Sequence, residues 1–235
     1  MSKLTLVFLL ILFLAGFLRL YGLVDYPTGF HIDEATMGWN AYSLFQTGRD
    51  ETGRFWPLYS RSFDLDRSIG NFILTGVSIG LFGLNEWAVR FPFALSGILT
   101  VIVAYYFTFE LFGNRKISLL VILLLAISPW HINITRASSE ASVSLLLILI
   151  GQWLLIKSWL TKRSMRLLIS GVAFITSIFF YHAASVFALL SIVVIIIFIT
   201  VKRRRFHVPV MIMGFVTCMI IGIFLLLGKG GVNRF

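Results

Sequence analysis

The stretch Phe30–Pro57, FHIDEATMGWNAYSLFQTGRDETGRFWP, is a long polar interruption in a chain that is otherwise strongly apolar. It carries two adjacent acid pairs, Asp33-Glu34 and Asp50-Glu51, with a segment of helical spacing between them. Charged groups are costly to remove from water, so a stretch this polar is expected to lie where water reaches it. We therefore expect an aqueous loop here, with the second acid pair in a solvated turn.

A short amphipathic helix is predicted over residues 34–47 of this loop. Asp33 is placed to cap its start and Gly48 to end it. Apolar side chains recur at helical spacing, namely Ala35, Trp39, Tyr42 and Phe45. Such a stripe is typical of a helix that lies along a membrane surface.

The composition excludes a soluble domain. Hydrophobic residues make up 58% of the chain and charged residues only 13%, whereas soluble domains carry about 25% charged residues. The net charge of +10 comes largely from short basic runs between apolar segments, which favours lipid surfaces over nucleic acid. Cys218 is the single cysteine, so no disulfide can form within the chain.

Apolar runs that approach the length needed to cross a bilayer, about 20 residues, recur along the chain. The candidate spans are 4–23, 92–111, 117–130, 138–156, 167–181, 184–200 and 208–227. A further apolar segment, 68–84, is rich in Gly and Ser and is ambiguous. The sequence thus predicts an all-α membrane protein with about seven spans, the first of them uncleaved.

The distribution of basic residues selects one topology. If 68–84 is re-entrant or interfacial, then Lys3, Arg115-Lys116 and the basic groups at 157–166 and 202–205 all lie on the cytoplasmic side. If 68–84 spans, the last two groups fall outside. The first arrangement is favoured, with a cytoplasmic amino terminus and a large extracytoplasmic loop over 24–90.

Most of the acids lie in this outer loop, where they serve either solubility or chemistry. They are Asp25, Asp33, Glu34, Asp50, Glu51, Asp64, Asp66 and Glu86. Two shorter outer segments, Ser128–Arg136 and Tyr181–Ser185, are predicted on the same side. One site could therefore be assembled from all three.

The polar stretch resembles the first outer loop of bacterial glycosyltransferase family 39 proteins, relatives of protein O-mannosyltransferases. Two further matches follow in order: LFGLNEWAVRFPFALSG at 81–97 and ELFGNRKISLLVILLLAISPWHINITRASSE at 110–140. Together the matches cover about 30–140, and their order makes them more specific than any one motif. The resemblance implies a GT-C multispan helical module in a bacterial plasma membrane, with its active site on the outer face.

The resemblance also implies a reaction. The family moves a sugar, a hexose or a pentose, from a polyprenyl-phosphate donor with inversion at the sugar carbon. Asp33 matches the acid at the start of the family's loop helix, expected to act as the base or to bind the acceptor, and Glu34 follows it. Asp66-Arg67 falls where some relatives carry an acid followed by a lysine.

Physical chemistry assigns expectations to the remaining polar residues. The departing phosphate needs positive charge, and Arg90, Arg136 and Arg67 are the candidates to bind it. The candidates for acceptor contact or a second acid are Asp66, Glu140, His131 and His182. No cofactor is required, although a divalent metal could be held by Asp33 and Asp66.

Two other functions remain open at this stage: a lipid-sugar transporter or flippase, and a non-catalytic membrane subunit. Charges avoid the centres of the predicted spans, which is unlike most transporters. The expected partners are membrane lipid, the polyprenyl-phosphate sugar and an acceptor glycan, lipid or protein, with no nucleic acid. Family members usually continue with further spans, so the chain is expected to be a minimal version, one part of a complex or a fragment.

Overall fold

A computed structural model describes residues 2–62, 65–161 and 164–190. In chain order the elements are α1 (Lys3–Leu20), α2 (Ile32–Thr47), β1 (Tyr59–Ser62), β2 (Leu65–Ser68), α3 (Ile69–Phe82), α4 (Glu86–Phe112), α5 (Arg115–Ala126), α6 (Pro129–Arg136), α7 (Glu140–Thr161) and α8 (Ser164–Ile178). β1 and β2 form an antiparallel hairpin in which Ser60 pairs with Arg67. The hairpin is an exception to the otherwise helical architecture, and the sequence did not predict it.

Three of the described helices are long and apolar enough to cross a membrane: α1, α4 and α7. α5 and α6 pass the same test only together and meet at a bend of 58°, so they count as a fourth span if joined. α3 and α8 are apolar but shorter. Of the predicted seven spans, 208–227 lies outside the described residues, and 184–200 is described only to residue 190.

The boundaries of the predicted spans differ from those of the helices, and two of these differences have a clear physical reason. The predicted span 117–130 is broken, because α5 ends at Ala126 and Pro129 is the first residue of α6. Proline has no N–H to donate, so it suits the first position of a helix better than the interior. α4 begins at Glu86, six residues before the predicted start, with the Asn85 side chain accepting the Ala88 N–H at 2.8 Å.

α4 contains an interior proline that a neighbouring helix accommodates. Pro92 cannot donate to the carbonyl of Ala88, one turn earlier. The Ser78 hydroxyl of α3 donates to this carbonyl instead, at 2.6 Å, and both residues are buried. A freed carbonyl away from water needs such a donor, so this bond attaches α3 to the first turns of α4.

α3 packs on α2 and α4 and reaches the chain that follows α8. Its first turn contacts the chain that follows α8, where Gly70 N–H donates to Phe179 O at 3.0 Å and Asn71 Nδ2 to Phe180 O at 2.6 Å. This close approach requires glycine, because a Cβ at Gly70 would lie 2.6 Å from Phe179 O. The interfacial or re-entrant placement of 68–84 and its side of the membrane stay predictions.

α2 packs its buried face on α3 and α4 and leaves most of its predicted stripe exposed. Met37, Ala41 and Leu44 join Phe72 and Phe93 in one core cluster. Ala35, Trp39 and Phe45 are exposed, whereas Tyr42 is half-buried and packs against this cluster. Gly48 ends the helix in the left-handed conformation, at φ 71, as predicted.

The loop after α2 is organised by Asp50, which is buried rather than solvated as predicted. Its Oδ1 accepts hydrogen bonds from the Thr52 N–H and hydroxyl and from the Arg54 N–H, at 3.0, 2.7 and 2.9 Å. Its Oδ2 accepts from Arg54 Nε at 3.1 Å and the Ser60 hydroxyl at 3.1 Å. The neighbouring Glu51 is exposed, so only this half of the pair occupies a solvated turn.

Replacement of Asp50 by Asn is expected to loosen this loop. Burial alone would raise the pKa of the Asp50 carboxyl, but hydrogen bonds from Thr52, Arg54 and Ser60 and the charge of Arg54 hold that pKa below its ordinary value. The charged form therefore stabilises the loop, and Asn is expected to raise amide hydrogen exchange at Thr52 and Arg54 by about tenfold or more.

The hydrogen bonds of Asp50 also predict how the stability of this loop depends on pH. Because the folded pKa lies below the unfolded value, the stabilisation is present above about pH 4 and is lost as pH falls through the folded pKa. The matched control is Glu51→Gln, which makes the same change at the exposed neighbour and should leave exchange unaltered. Equal exchange in the Asp50 and Glu51 variants would contradict the assignment.

Candidate functional site

A cavity of about 680 Å³ opens at the end of the bundle that carries α2. Its walls come from the loop after α1, the start of α2, strand β2, the turn between α6 and α7, and Tyr181. The lining residues are Pro27, Thr28, Gly29, Phe30, His31, Asp33, Glu34, Arg67, Ala137, Ser138, Ser139, Glu140 and Tyr181. Of the two shorter outer segments that the sequence predicted to join the outer loop, Tyr181–Ser185 contributes Tyr181 to this cavity, whereas Ser128–Arg136 contributes no lining residue and the turn that follows it does.

Three charged side chains lie together in this cavity. Arg67 Nη2 is 2.6 Å from Asp33 Oδ1, and Arg67 Nη1 is 3.3 Å from Glu140 Oε1. The Arg67 and Glu140 side chains are 13% and 20% exposed, whereas the Asp33 side chain is 50% exposed. Arg67 therefore bridges a solvent-facing and a shielded carboxylate that are far apart in the sequence.

Arg67 retains one buried donor. Within the described part of the chain its Nε has no hydrogen-bond partner and is shielded from solvent. A buried N–H without a partner is uncommon in proteins and indicates a place for a ligand oxygen or an ordered water. Arg67 therefore has one N–H that neither carboxylate occupies.

The start of α2 differs from the predicted cap and explains how Asp33 is presented. His31, not Asp33, caps the helix: its Nδ1 accepts the Asp33 N–H at 3.2 Å, and Glu34 Oε2 accepts the His31 N–H at 3.1 Å. This reciprocal capping box satisfies two helix N–H groups. Since the cap is supplied by its neighbours, the Asp33 carboxylate remains available to the cavity.

His31 Nδ1 also lies 3.7 Å from Asp33 Oδ2, within the range of an ion pair. The two contacts exclude each other, because Nδ1 cannot carry a proton while it accepts the Asp33 N–H. The hydrogen bond of 3.2 Å is the shorter contact, and the His31 side chain is 70% exposed. The shorter contact makes the His31 ring the cap of α2 in this structure.

Glu34 lines the cavity and is paired with the buried Arg90. Arg90 Nε donates to Glu34 Oε1 at 2.9 Å and Nη2 to Oε2 at 2.8 Å, and both side chains are at most 3% exposed. The remaining N–H groups of Arg90 donate to the carbonyls of Leu23, Val24, Pro27 and Gly29. No N–H of Arg90 is left for a lipid phosphate, although the sequence predicted that role.

Arg136, the second predicted phosphate ligand, is enclosed in the same way. Its Nε and Nη2 donate to Tyr26 O at 2.9 and 2.7 Å, and only 6% of the residue is exposed. The other bonds go to the carbonyls of Leu18, Tyr21 and Gly22 at the end of α1. In this conformation it stabilises the carbonyl end of a helix, where a cation is favourable.

The other predicted site residues lie at different places. His131 is fully buried away from the cavity, with its Nδ1 2.7 Å from Arg19 Nη2. His182 is exposed and follows Tyr181, which lines the cavity wall. Asp66 precedes Arg67 in β2 and pairs with Arg61, and the structure describes only its backbone.

The metal site that the sequence allowed, at Asp33 and Asp66, stays a prediction, because the structure describes no side chain for Asp66. Across residues 2–62, 65–161 and 164–190 no group of three or more His, Cys, Asp or Glu side chains is placed to hold an ion. Asp33 Oδ1 also contacts a guanidinium at 2.6 Å, which occupies a position that a cation would need. We therefore assign no chemical step to a metal.

Sequence reasoning missed two features of the cavity. Tyr181 was seen only as part of a short outer segment, although it lines the cavity. Ser138 adopts a positive φ of 48° in the turn between α6 and α7, and its hydroxyl contacts Val89 O at 3.4 Å. A serine at positive φ has no reliable sequence signal, but it makes the tight turn that brings Glu140 to the cavity.

The comparison with protein families identifies the family to which the chain belongs. The family described as dolichyl-phosphate-mannose-protein mannosyltransferase matches residues 66–226, well over half of the chain. The chain belongs to this family. It is therefore an integral membrane protein of the GT-C type and a glycosyltransferase, as the sequence predicted.

The mannosyltransferase family match covers part of the cavity. Arg67, Glu140 and Tyr181 lie inside the matched range, whereas Asp33 and Glu34 precede it. No curated protein shows significant similarity to the chain. The roles of individual residues in this member of the family therefore rest on the geometry of its own cavity.

Proposed function

We propose that this chain transfers a sugar from a polyprenyl-phosphate donor to a hydroxyl group of an acceptor on the extracytoplasmic face, with inversion at the sugar carbon. The observation that carries the proposal is the cluster of Asp33, Arg67 and Glu140 in one open cavity. A carboxylate and a guanidinium are the groups that this reaction requires. Mannose is the first sugar to test, given the description of the family.

The reaction is a single displacement at the sugar carbon. The acceptor oxygen forms a bond to that carbon while the bond from the carbon to the phosphate oxygen breaks. Asp33 accepts the acceptor's proton, and the departing polyprenyl phosphate keeps the electron pair. The phosphate gains negative charge as it leaves, so a cation placed beside it stabilises the transition state more than the bound donor.

Arg67 is the proposed phosphate ligand. It is the only one of the three predicted arginines whose guanidinium lines the cavity, and its Nε is without a partner in the described chain. Arg90 and Arg136 are left out of the proposed phosphate site because backbone carbonyls and Glu34 already occupy their N–H groups. We propose that they shape the cavity from below.

The acceptor is proposed to enter past Asp33, whose side chain is half exposed. Glu140 serves as the second acid and holds Arg67 from the opposite side. Tyr181 and Phe30 offer aromatic surfaces at the cavity wall, and His182 lies next to Tyr181 at the surface. These groups are proposed to contact the sugar or the acceptor.

The test is a transfer assay with the full chain in lipid nanodiscs, radiolabelled polyprenyl-phosphate sugars and membrane extract as the source of acceptor. Arg67→Gln is expected to raise the donor KM by about tenfold or more, since it removes a charged hydrogen bond to phosphate. Arg67→Lys keeps the charge but loses the planar guanidinium with its paired N–H donors, and should give an intermediate donor KM.

The control is Arg115→Gln, which removes an exposed arginine at the start of α5 and should leave the donor KM unchanged. Transfer that is independent of Arg67 would contradict the proposed phosphate site. Absence of transfer with every donor, mannose included, would contradict the proposal and favour a non-catalytic subunit of a larger assembly.

A further inference from the structure

The direct contact between Asp33 and Arg67 conflicts with both residues acting at once in the proposed reaction, on which this inference rests. In an inverting displacement the attacking hydroxyl and the departing phosphate lie on opposite sides of the sugar carbon. Hydrogen-bond and near-attack distances then place the base oxygen and the phosphate-binding nitrogen roughly 7 to 10 Å apart. The structure places Asp33 Oδ1 and Arg67 Nη2 at 2.6 Å.

We propose that this ion pair is the resting state of the site and that it opens when the donor's phosphate binds Arg67. The phosphate replaces the Asp33 carboxylate at Nη2, and the released carboxylate turns to the acceptor hydroxyl. Glu140, 3.3 Å from Nη1, remains paired and keeps the guanidinium in the cavity. The donor's phosphate therefore binds before the base becomes available, which orders the two substrates.

The two partners differ in what they lose when the pair opens. The Asp33 side chain is 50% exposed, so its carboxylate regains water when it leaves. The Arg67 side chain is only 13% exposed and needs another anion in place of Asp33. Its unpartnered Nε offers the incoming phosphate a second contact. Exchange of one anion for another at Arg67 is therefore the favourable movement.

Asp33, rather than its neighbour Glu34, is the acid that moves. Glu34, the next residue, is fixed by a buried pair with Arg90 in which the two side chains are 3% and 0% exposed. That pair cannot open without leaving a charge in the protein interior. The two successive acids thus have opposite roles: Glu34 anchors the helix, and Asp33 exchanges partners at its surface.

The proposed exchange predicts that loss of the Asp33 charge strengthens, rather than weakens, the binding of polyprenyl phosphate. The experiment measures binding of polyprenyl phosphate without a sugar to the full chain in nanodiscs. Asp33→Asn removes the competitor for Arg67 and is expected to tighten binding by about fivefold, the upper range for a partly exposed ion pair. Arg67→Gln is expected to weaken binding, as the proposed function requires.

Two control variants separate competition from a general change in charge. Glu140→Gln removes one negative charge from the same cavity, as Asp33→Asn does. The contact of Glu140 with Arg67 is longer, 3.3 Å instead of 2.6 Å, so this variant should tighten binding less than Asp33→Asn. Glu51→Gln removes an exposed acid in the loop after α2 and should change nothing. If Asp33→Asn fails to fold, Asp33→Ala provides the same comparison.

Each result bears on one statement. If polyprenyl phosphate binds Asp33→Asn no more tightly than the unaltered chain, while it binds Arg67→Gln more weakly, the exchange of Asp33 for phosphate at Arg67 is overturned. The proposed function would still stand. Equal tightening in Asp33→Asn and Glu140→Gln also overturns the exchange, because charge alone would then explain both. Unchanged binding in Arg67→Gln overturns the phosphate site itself.

Discussion

Replacement of Arg90 by methionine is expected to lower the free energy of unfolding by about 3 to 5 kcal/mol, the cost of leaving one member of a buried ion pair without its partner. Methionine keeps the unbranched aliphatic part of the side chain but has neither the guanidinium nor its charge. Glu34 would remain at 3% side-chain exposure with no cation beside it. The carbonyls of Leu23, Val24, Pro27 and Gly29 would also lose their donor.

The loss should reach the cavity as well as the fold. Pro27, Gly29 and Phe30 line the cavity, and the Arg90 guanidinium lies 5.5 Å from the Phe30 ring centroid. The cavity wall and the first turn of α2 are therefore held by one side chain. Both should loosen together in the Arg90 variant.

Unfolding in mixed detergent micelles measures the stability effect. The double variant Arg90→Met/Glu34→Gln should recover the part of the lost free energy of unfolding that comes from the unpaired Glu34 carboxylate. It should not recover the part that comes from the backbone carbonyls without a donor. Arg115→Met is the control at an exposed position. Unchanged stability of Arg90→Met together with a raised donor KM would instead support the phosphate role that the sequence predicted for Arg90.

Replacement of Asp33 by asparagine is expected to lower kcat by about 10²- to 10⁴-fold, the usual contribution of a general base. Asparagine keeps the size of the side chain but cannot accept the acceptor's proton. The helix cap is supplied by His31 and Glu34, so the substitution should leave α2 intact. The expected result is a folded protein that binds the donor's phosphate and does not transfer the sugar.

The transfer assay described above measures this effect, with unfolding of the variant recorded in parallel. Glu51→Gln serves as the matched control, because it makes the same acid-to-amide change in the same loop at an exposed position. Transfer that survives unchanged in Asp33→Asn would remove Asp33 from the reaction. Glu140 would then be the remaining carboxylate on Arg67 and the next residue to test.

The sequence identified the class of the protein and the region of the site, for reasons that are local. Long apolar runs predicted membrane helices without knowledge of packing, and α1, α4 and α7 confirm three of them. Gly48 was correctly predicted to end α2 because a left-handed helix end favours glycine. The family was predicted from three ordered motifs, and the family match over 66–226 confirms it.

Which charged residues face the cavity was decided only by the tertiary structure. Arg67, Arg90 and Arg136 look equivalent in the sequence, since each lies at the edge of an apolar segment. In the fold, Arg90 and Arg136 point at backbone carbonyls that a tight turn gathers after α1, whereas Arg67 points into the cavity. Such carbonyls are present at every residue and leave no pattern to read.

The acid pairs of the opening stretch show the same limit. The sequence placed Asp33 and Glu34, and Asp50 and Glu51, side by side, and it predicted that these polar residues belong to one loop. The fold separates each pair into a buried structural member, Glu34 or Asp50, and a more exposed one, Asp33 or Glu51. Neighbouring residues on a helix or turn point in different directions, so adjacency in sequence determines the region of a site but not which member enters it.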